Sequence, residues 1–279
     1  MAQNLLDLAR ERESISRADL VRKTGLAVGT ISNRVGRLVR EQWLVEEMTG
    51  AGQNRRARPG RKGIRLRVNP ERAFVAGVEL DRHTIRSVVC DMAYQIRCQM
   101  TTRSDVEKEG DGFLCRLMDA IRSLRKEFPR ADHLAALGVT LPGSVDPERG
   151  VVIHSPRMGQ WAGVPLAALA EKELGLPVRV DNVARCMTFA EWRQGAAKDV
   201  PDFLFLNIAE GVGSGMMLGG RLYGGGENMG GEFGHMNINL EGTPPRSARC
   251  ECGNMNCLQA LIRCPAIVEN VRAALKDGV

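Results

Sequence analysis

The sequence predicts an α/β body that carries a small winged helix-turn-helix domain at its N-terminus. Three observations predict it. Residues 1–70 hold 15 Lys and Arg against 7 Asp and Glu, while the other 209 residues hold 24 against 26, so a basic head sits on a near-neutral body. Within the head, two helical patterns hinge on a glycine and precede two alternating strands. From residue 74 onward, strand patterns alternate with helical ones, as a parallel or mixed sheet flanked by helices requires. A chain of 279 residues favours two domains. We place them at 1–70 and 71–279, where Asn69-Pro70 marks a change of texture.

The head begins with a short helical pattern at Leu5, Leu6, Leu8 and Ala9. Ser16, with Asp19 three residues on, has the form of a capping box, so a helix starts there. Gly25 supplies the turn that ends it. A second helix is expected from Val28 to Gln42, with Ile31, Val35, Leu38 and Val39 on one face. Its other face carries Thr30, Asn33, Arg37 and Arg40, with Arg34 on the flank, side chains suited to base edges and phosphates. Trp43 to Glu47 and Ile64 to Val68 read as the two strands of a wing. The tip between them, Asn54 to Lys62, has five basic residues and no acid. There Arg58, Arg61 and Lys62 are candidates for a phosphate backbone or a minor groove. Double-stranded DNA is therefore the expected partner.

In the body, Phe74–Leu80, Ile85–Asp91, Leu134–Thr140, Val178–Asp181 and Phe203–Ile208 read as strands. Phe113–Phe128, Leu166–Leu174 and Cys186–Arg193 read as helices. Gly211 to Gly215 reads as a glycine loop. The chain has no run of 18 or more apolar residues, which excludes a long apolar membrane helix. Residues 1–12 are charged and amphipathic, unlike a signal peptide. The expected location is cytoplasmic.

The eight cysteines are not spaced like a disulfide framework. Cys250, Cys252 and Cys257 crowd together, and soft thiolates with one imidazole suit tetrahedral zinc. Of four histidines, His235 is the best candidate for the fourth ligand, with Cys264 as a possible replacement. Four protein ligands imply a closed, structural site.

Four blocks now stand in a fixed order: Leu141 to Asp146, Gly211 to Gly215, Gly231-Glu232-Phe233-Gly234-His235, and Cys250 to Leu258. With Ile15–Leu20 through Glu46, they resemble the ROK family, which joins sugar-responsive repressors of the xylose and N-acetylglucosamine repressor type with bacterial sugar kinases. The resemblance implies an actin-like, hexokinase-type body with two lobes around a sugar cleft. It implies ligand contacts at Arg157, Asn182, Glu232, His235 and Gln259, with Arg185 near the same strand end. Two arginines and a glutamine at these places suggest an anionic effector, such as a sugar acid or sugar phosphate. It further implies a homodimer that binds a near-palindromic operator, and a chain that continues well beyond Val279.

The kinases of the family need two glycines at a phosphate turn and an Asn-Asp pair whose aspartate is the general base. Here those positions hold Asp81 with Arg82, and Asn182 with Val183. Valine cannot accept a proton, and loss of a general base costs about 100- to 10,000-fold. No catalytic residue is assigned and no ATP requirement is expected. The reading is a repressor-type regulator that senses a sugar without phosphoryl transfer. The alternative is an ATP-dependent hexose kinase of the same family.

Overall fold

The computed structural model describes residues 2–12, 14–48, 63–81, 83–104, 112–155, 161–238 and 249–276. The chain divides into two compact units. The first comprises Met1–Ala76, Val88–Gln99 and Lys126–Ala135; the second comprises Gly77–Ser87, Met100–Arg125 and Ala136–Val279.

The first unit contains α1 (Ala2–Glu11), α2 (Arg17–Thr24), α3 (Val28–Arg40), β1 (Leu44–Met48) and β2 (Ile64–Val68). Ser16 caps α2 by accepting the Asp19 N–H at 3.1 Å, and the Asp19 carboxylate accepts the Ser16 N–H at 3.2 Å. Both halves of the expected capping box are present. Gly25 closes α2 with φ +67, a left-handed conformation that only glycine adopts cheaply. α3 stops at Arg40 rather than Gln42 because Gln42 itself turns left-handed, with φ +61. β1 and β2 pair antiparallel, with Leu44 opposite Val68. Leu5, Ile15, Leu20, Ile31, Leu44 and Leu66 are 0 or 1% exposed and form one core. Burying each such side chain contributes about 1.5–3 kcal/mol.

Further ties hold this core within its unit. Arg72 Nε donates to Glu41 O at 2.8 Å, and its guanidinium lies 4.6 Å from the Trp43 ring centroid. Arg10 donates to Met92 O at 2.7 Å and to the Tyr94 hydroxyl at 2.9 Å.

The main sheet has five strands in the order β5-β4-β3-β6-β9. They are β3 (Phe74–Leu80), β4 (Thr84–Asp91), β5 (Ile96–Arg103), β6 (Leu134–Leu141) and β9 (Val178–Asn182). β6 and β9 are parallel, with Leu137 opposite Val178. α4 (Gly112–Glu127) precedes β6, and a hairpin of β7 (Ser144–Asp146) and β8 (Val151–His154) follows it, then α5 (Leu166–Leu174). β5 was not legible in the sequence, because this edge strand is polar and largely exposed.

α6 (Val183–Gln194) leaves directly from β9. It starts three residues before the expected Cys186 because Asn182 caps it, its Oδ1 accepting from Ala184 N and Arg185 N. A second sheet follows, ordered β10 (Phe203–Ile208), β11 (Val212–Leu218), β12 (Arg221–Leu222), all antiparallel. The segment Gly211 to Gly215 is therefore not a loop. Only its first residue lies in the turn, and from Val212 it is strand. Its glycines answer to close packing: a Cβ on Gly213 would stand 3.0 Å from Ala184 Cβ, and one on Gly215 would collide with the Thr188 hydroxyl. α7 (Leu258–Ile262) and α8 (Cys264–Lys276) complete the described chain. Among the described residues no helix is long and apolar enough to cross a membrane.

Candidate functional site

Both chemical features of the second unit are built against β11. Gly231 and Gly234 pack against this strand: a Cβ on Gly231 would stand 2.7 Å from Ser214 O, and one on Gly234 would collide with Val212 O. The Ser214 hydroxyl donates to Gly231 O. The short 3-10 turn Phe233–His235 is thereby pinned beside the strand. Residues 236–238 then pair with the cysteine segment, Leu258 N donating to Met236 O at 2.8 Å and Ile238 N to Asn256 O at 2.9 Å. Cys250 to Cys257 folds as a tight knuckle, with Cys250 N on Asn254 O and Gly253, φ +93, on Cys250 O.

This pairing brings His235, Cys250, Cys252 and Cys257 together, with all four ligand atoms within 4.8 Å of one another. Cys250 Sγ is 3.5 Å from His235 Nδ1, and Cys252 Sγ is 3.6 Å from Cys257 Sγ. Cys264 stands apart, its Sγ 3.9 Å from Ile208 O. The imidazole turns Nδ1 to the thiols, and its Nε2 is 3.7 Å from a carboxylate oxygen of Glu232. A carboxylate behind a ligating histidine fixes its ring and tautomer.

Without a cation beside them, Cys250 and Cys257 favour the neutral thiol over the thiolate. Burial, with Cys252 and Cys250 as hydrogen-bond partners, pushes Cys257 up to about 12. Burial also raises Cys250, while the Asn254 N–H lowers Cys252. A divalent cation reverses this balance, because it stabilises every thiolate at once. Three sulfurs and one nitrogen could hold a metal ion, and four protein ligands would leave no open position on a tetrahedral one.

Next to the cluster lies a cavity of about 420 Å³, lined wholly by the second unit. Asn182, Val183, Glu232, His235 and Gln259 all line it. Arg157 lies outside the described residues, as does Arg82. Arg185 does not line it, contrary to expectation. It is 8% exposed, its Nε donates to Asp181 Oδ1 at 2.8 Å and an NH group donates to Tyr223 O at 3.1 Å. The Asp181 carboxylate is occupied by that pair and by Asn182 N at 2.7 Å. Asn182 Nδ2 donates to Gly143 O at 2.8 Å, so this side chain is largely spent on the fold. Gln259 is likewise engaged: its Oε1 accepts from Val212 N at 3.0 Å, and its Nε2 is 3.9 Å from Cys250 Sγ.

The charge of the cavity also departs from the expectation of a positive pocket. Among the described lining residues, Glu79, Asp81, Glu210, Glu232 and Glu251 are acidic and Arg86 is the only guanidinium. Arg86 bridges Glu79 at 3.1 Å and Asp81 at 3.6 Å. Arg86, Glu210 and Glu251 were missed in the sequence. Arg86 sits on an ordinary alternating strand, and only Glu210, next to the glycines, had a local signal.

In the first unit, α3 buries Ile31, Val35 and Leu38 and turns Ser32, Asn33, Arg37 and Arg40 to solvent. Thr30 and Arg34 are half-buried. Arg37 is paired with Glu41 at 2.7 Å. Arg58, Arg61 and Lys62 lie outside the described residues.

Residues 75–277 match the family model described as ROK family. The chain is 26% identical over 270 residues to the xylose repressor of Caldicellulosiruptor bescii, a match that covers 96% of this chain and 65% of that one. It is equally identical over 269 residues to the DNA-binding transcriptional dual regulator NagC of Escherichia coli, covering 95% of this chain and 62% of NagC. The chain thus spans less than two thirds of the length of these relatives. Among solved structures, a ROK family transcriptional regulator described as a homolog of the E. coli MLC protein superposes with a TM-score of 0.80, at 27% identity, over 100% of this chain and 68% of the other. A ROK family glucokinase from Streptomyces griseus, in complex with glucose and AMPPNP, gives 0.61 at 25% identity, over 71% of this chain and 59% of the kinase.

Proposed function

The chain belongs to the ROK family, and from that premise we propose that it is a sugar-responsive transcriptional repressor that does not transfer phosphate. α2, the Gly25 turn, α3 and the β1–β2 ribbon act as a winged helix-turn-helix. α3 offers Thr30, Asn33, Arg34 and Arg37 to DNA, and Arg58, Arg61 and Lys62 add phosphate contacts from the wing. The cavity of the second unit holds the effector, a homodimer spans the operator, and the His235-Cys250-Cys252-Cys257 set binds a structural zinc ion.

One observation carries the non-kinase part. At the β9–α6 junction, where a sugar-phosphorylating relative needs a base, the side chain is Val183, and the neighbouring Asp181 is committed to Arg185 at 2.8 Å and is absent from the cavity wall. In the lining of the same cavity, Arg86 is held by Glu79 and Asp81, and these carboxylates oppose the β- and γ-phosphates of a nucleotide.

The acidic lining supports an effector without a negative charge. Sugar hydroxyls can donate to Glu232 and its neighbours, whereas a sugar phosphate would meet them at a cost in Coulomb energy. Effector and operator are coupled only as far as the sugar binds the two states of the protein differently.

The test is binding of the purified protein to its own promoter region at fixed salt, with a panel of neutral sugars, amino sugars, sugar acids and sugar phosphates. Specific binding that one uncharged or amine-bearing sugar changes, and that Asn33→Ala weakens, is the expected result. A response to sugar phosphates alone would refute the charge argument. The likeness to the glucokinase supports the alternative of an ATP-dependent hexose kinase; steady-state ATP turnover with glucose would establish it.

A further inference from the structure

Gln259 touches both functional features of the second unit. It stands one residue into α7, directly after the ligand Cys257 and Leu258. Its carbonyl accepts from Val212 N, the first amide of β11 and part of the cavity wall. Its amide nitrogen faces Cys250 Sγ at 3.9 Å. The approach on the β11 side is close: a Cβ on Gly211 would stand 3.1 Å from Gln259 Oε1. The mount is firm, because Leu258 N is tied to Met236 O, and Ala260 packs with Cys250 and Cys257 in a small buried cluster.

The chemistry of the position is selective. One end of the side chain meets a donor, the Val212 N–H, and the other meets an acceptor, a sulfur of the metal set. A carboxamide presents one acceptor and one donor group from a single plane. A carboxylate of the same length would present two acceptors and set a negative oxygen against a thiolate. An apolar side chain would leave the buried Val212 N–H without its partner.

We propose that Gln259 is a positioning residue that transmits the state of the metal set to the effector cavity. A metal that fixes Cys250 fixes the Gln259 amide group, and the carbonyl at its other end then holds the start of β11 against the cavity. Loss of the metal frees the cysteine knuckle, and Val212 loses its acceptor. The cavity wall is thereby ordered by a bond that does not touch the effector. N–H donors to ligating sulfurs are outer-shell partners of the kind whose removal costs about 10–100-fold in metal affinity.

The proposal rests on occupancy of the metal set, so zinc content of the full chain is measured first. Two readouts then follow on the zinc-loaded protein: hydrogen exchange of the Val212 amide, and the rate of zinc transfer to a metallochromic chelator. In the wild type, Val212 is expected to be protected with zinc and to exchange at least about tenfold faster after chelation, while the amides of β10 stay unchanged. Gln259→Glu keeps an acceptor for Val212 and loses the donor to sulfur. It should retain Val212 protection and release zinc about 10–100-fold faster. Gln259→Leu should lose both.

A chain that takes up no zinc overturns the occupancy and the bridge together. A zinc-bearing chain in which Gln259→Glu releases zinc at the wild-type rate overturns the bridge alone. So does Val212 protection that survives chelation. Should Gln259→Leu not fold, the wild type and Gln259→Glu decide the matter between them.

Discussion

The N-terminal helices and the cysteine-bearing end of the second unit are organised in opposite ways. The head is a continuous apolar core drawn from neighbouring segments: Leu5, Ile15, Leu20, Ile31, Leu44 and Leu66 lie within 62 residues of one another. Of its candidate contact residues, Asn33 and Arg37 are exposed, and Thr30 and Arg34 are half-buried. At the cysteine end, the buried cluster among the described residues is Cys250, Cys257 and Ala260. Order there comes from polar side chains and glycines that face one another across β11, and the candidate functional residues are themselves the fold. A surface function can be changed without cost to such a core. A function lodged among cross-linked polar groups cannot.

The sharpest test of this contrast is Cys257→Ser. We expect bound zinc to fall from one per chain to near zero and the apparent stability of the second unit to drop by several kcal/mol, since a structural zinc site is worth about 10–16 kcal/mol of apparent binding energy. Metal analysis and thermal unfolding measure both. The far-ultraviolet helix signal of the head should persist; its loss would show that the two regions are not separately organised.

The reciprocal change is Ile31→Ala. Ile31 is 0% exposed, and truncation should cost about 2–5 kcal/mol. DNA binding should disappear while zinc content stays at one per chain. Loss of zinc in this variant would break the comparison from the other side.

Two glycines sharpen it further. Gly215→Ala drives a Cβ into the Thr188 hydroxyl and to 3.2 Å from Ala184 O, which should cost about 1–3 kcal/mol by overpacking. Gly25→Ala meets nothing within 4 Å but sits at φ +67, so its penalty is conformational, about 1–2 kcal/mol. A second substitution, Thr188→Ala, should rescue Gly215→Ala in denaturant unfolding, and no side-chain trimming should rescue Gly25→Ala.

The smallest effect concerns the cap of α2. Ser16→Ala should cost about 1 kcal/mol. The Ser16 hydroxyl and N–H hold Asp19 down to about 2, below its unfolded value, so this group adds stability above the unfolded value of about 3.8. That contribution is lost as pH falls from near 4 through 2. Unfolding measured across that window should show a shallower acid loss in Ser16→Ala than in the wild type. Equal slopes would deny the cap its role.

Much of the head was legible because its signals are local. Ser16 with Asp19, Gly25, and the spacing of Ile31, Val35 and Leu38 act within one helical turn or one hinge, and physics at that range is set by adjacent residues. The strands Phe74–Leu80 and Phe203–Ile208 were legible for the same reason, as predominantly apolar runs. The three clustered cysteines pointed to a metal set by their spacing along the chain.

Other features depended on residues far apart in the chain. Gly211 to Gly215 looked like a loop because glycine is ambiguous by itself. The segment is strand because it pairs with β10, and its glycines answer to α6, which bars a Cβ at Gly213 and Gly215. Arg185 looked like a ligand contact until Asp181 and Tyr223 claimed its guanidinium. The acidic character of the cavity came from side chains on several separate elements, none of them distinctive where it stands. The sequence by itself determined the helices and the strands that carry an apolar run or a clear alternation, and which atoms could bind a metal. Only the tertiary structure decided which polar groups are already spent on one another, because a hydrogen bond or ion pair across the fold depends on distance in space, and spacing along the chain carries no record of it.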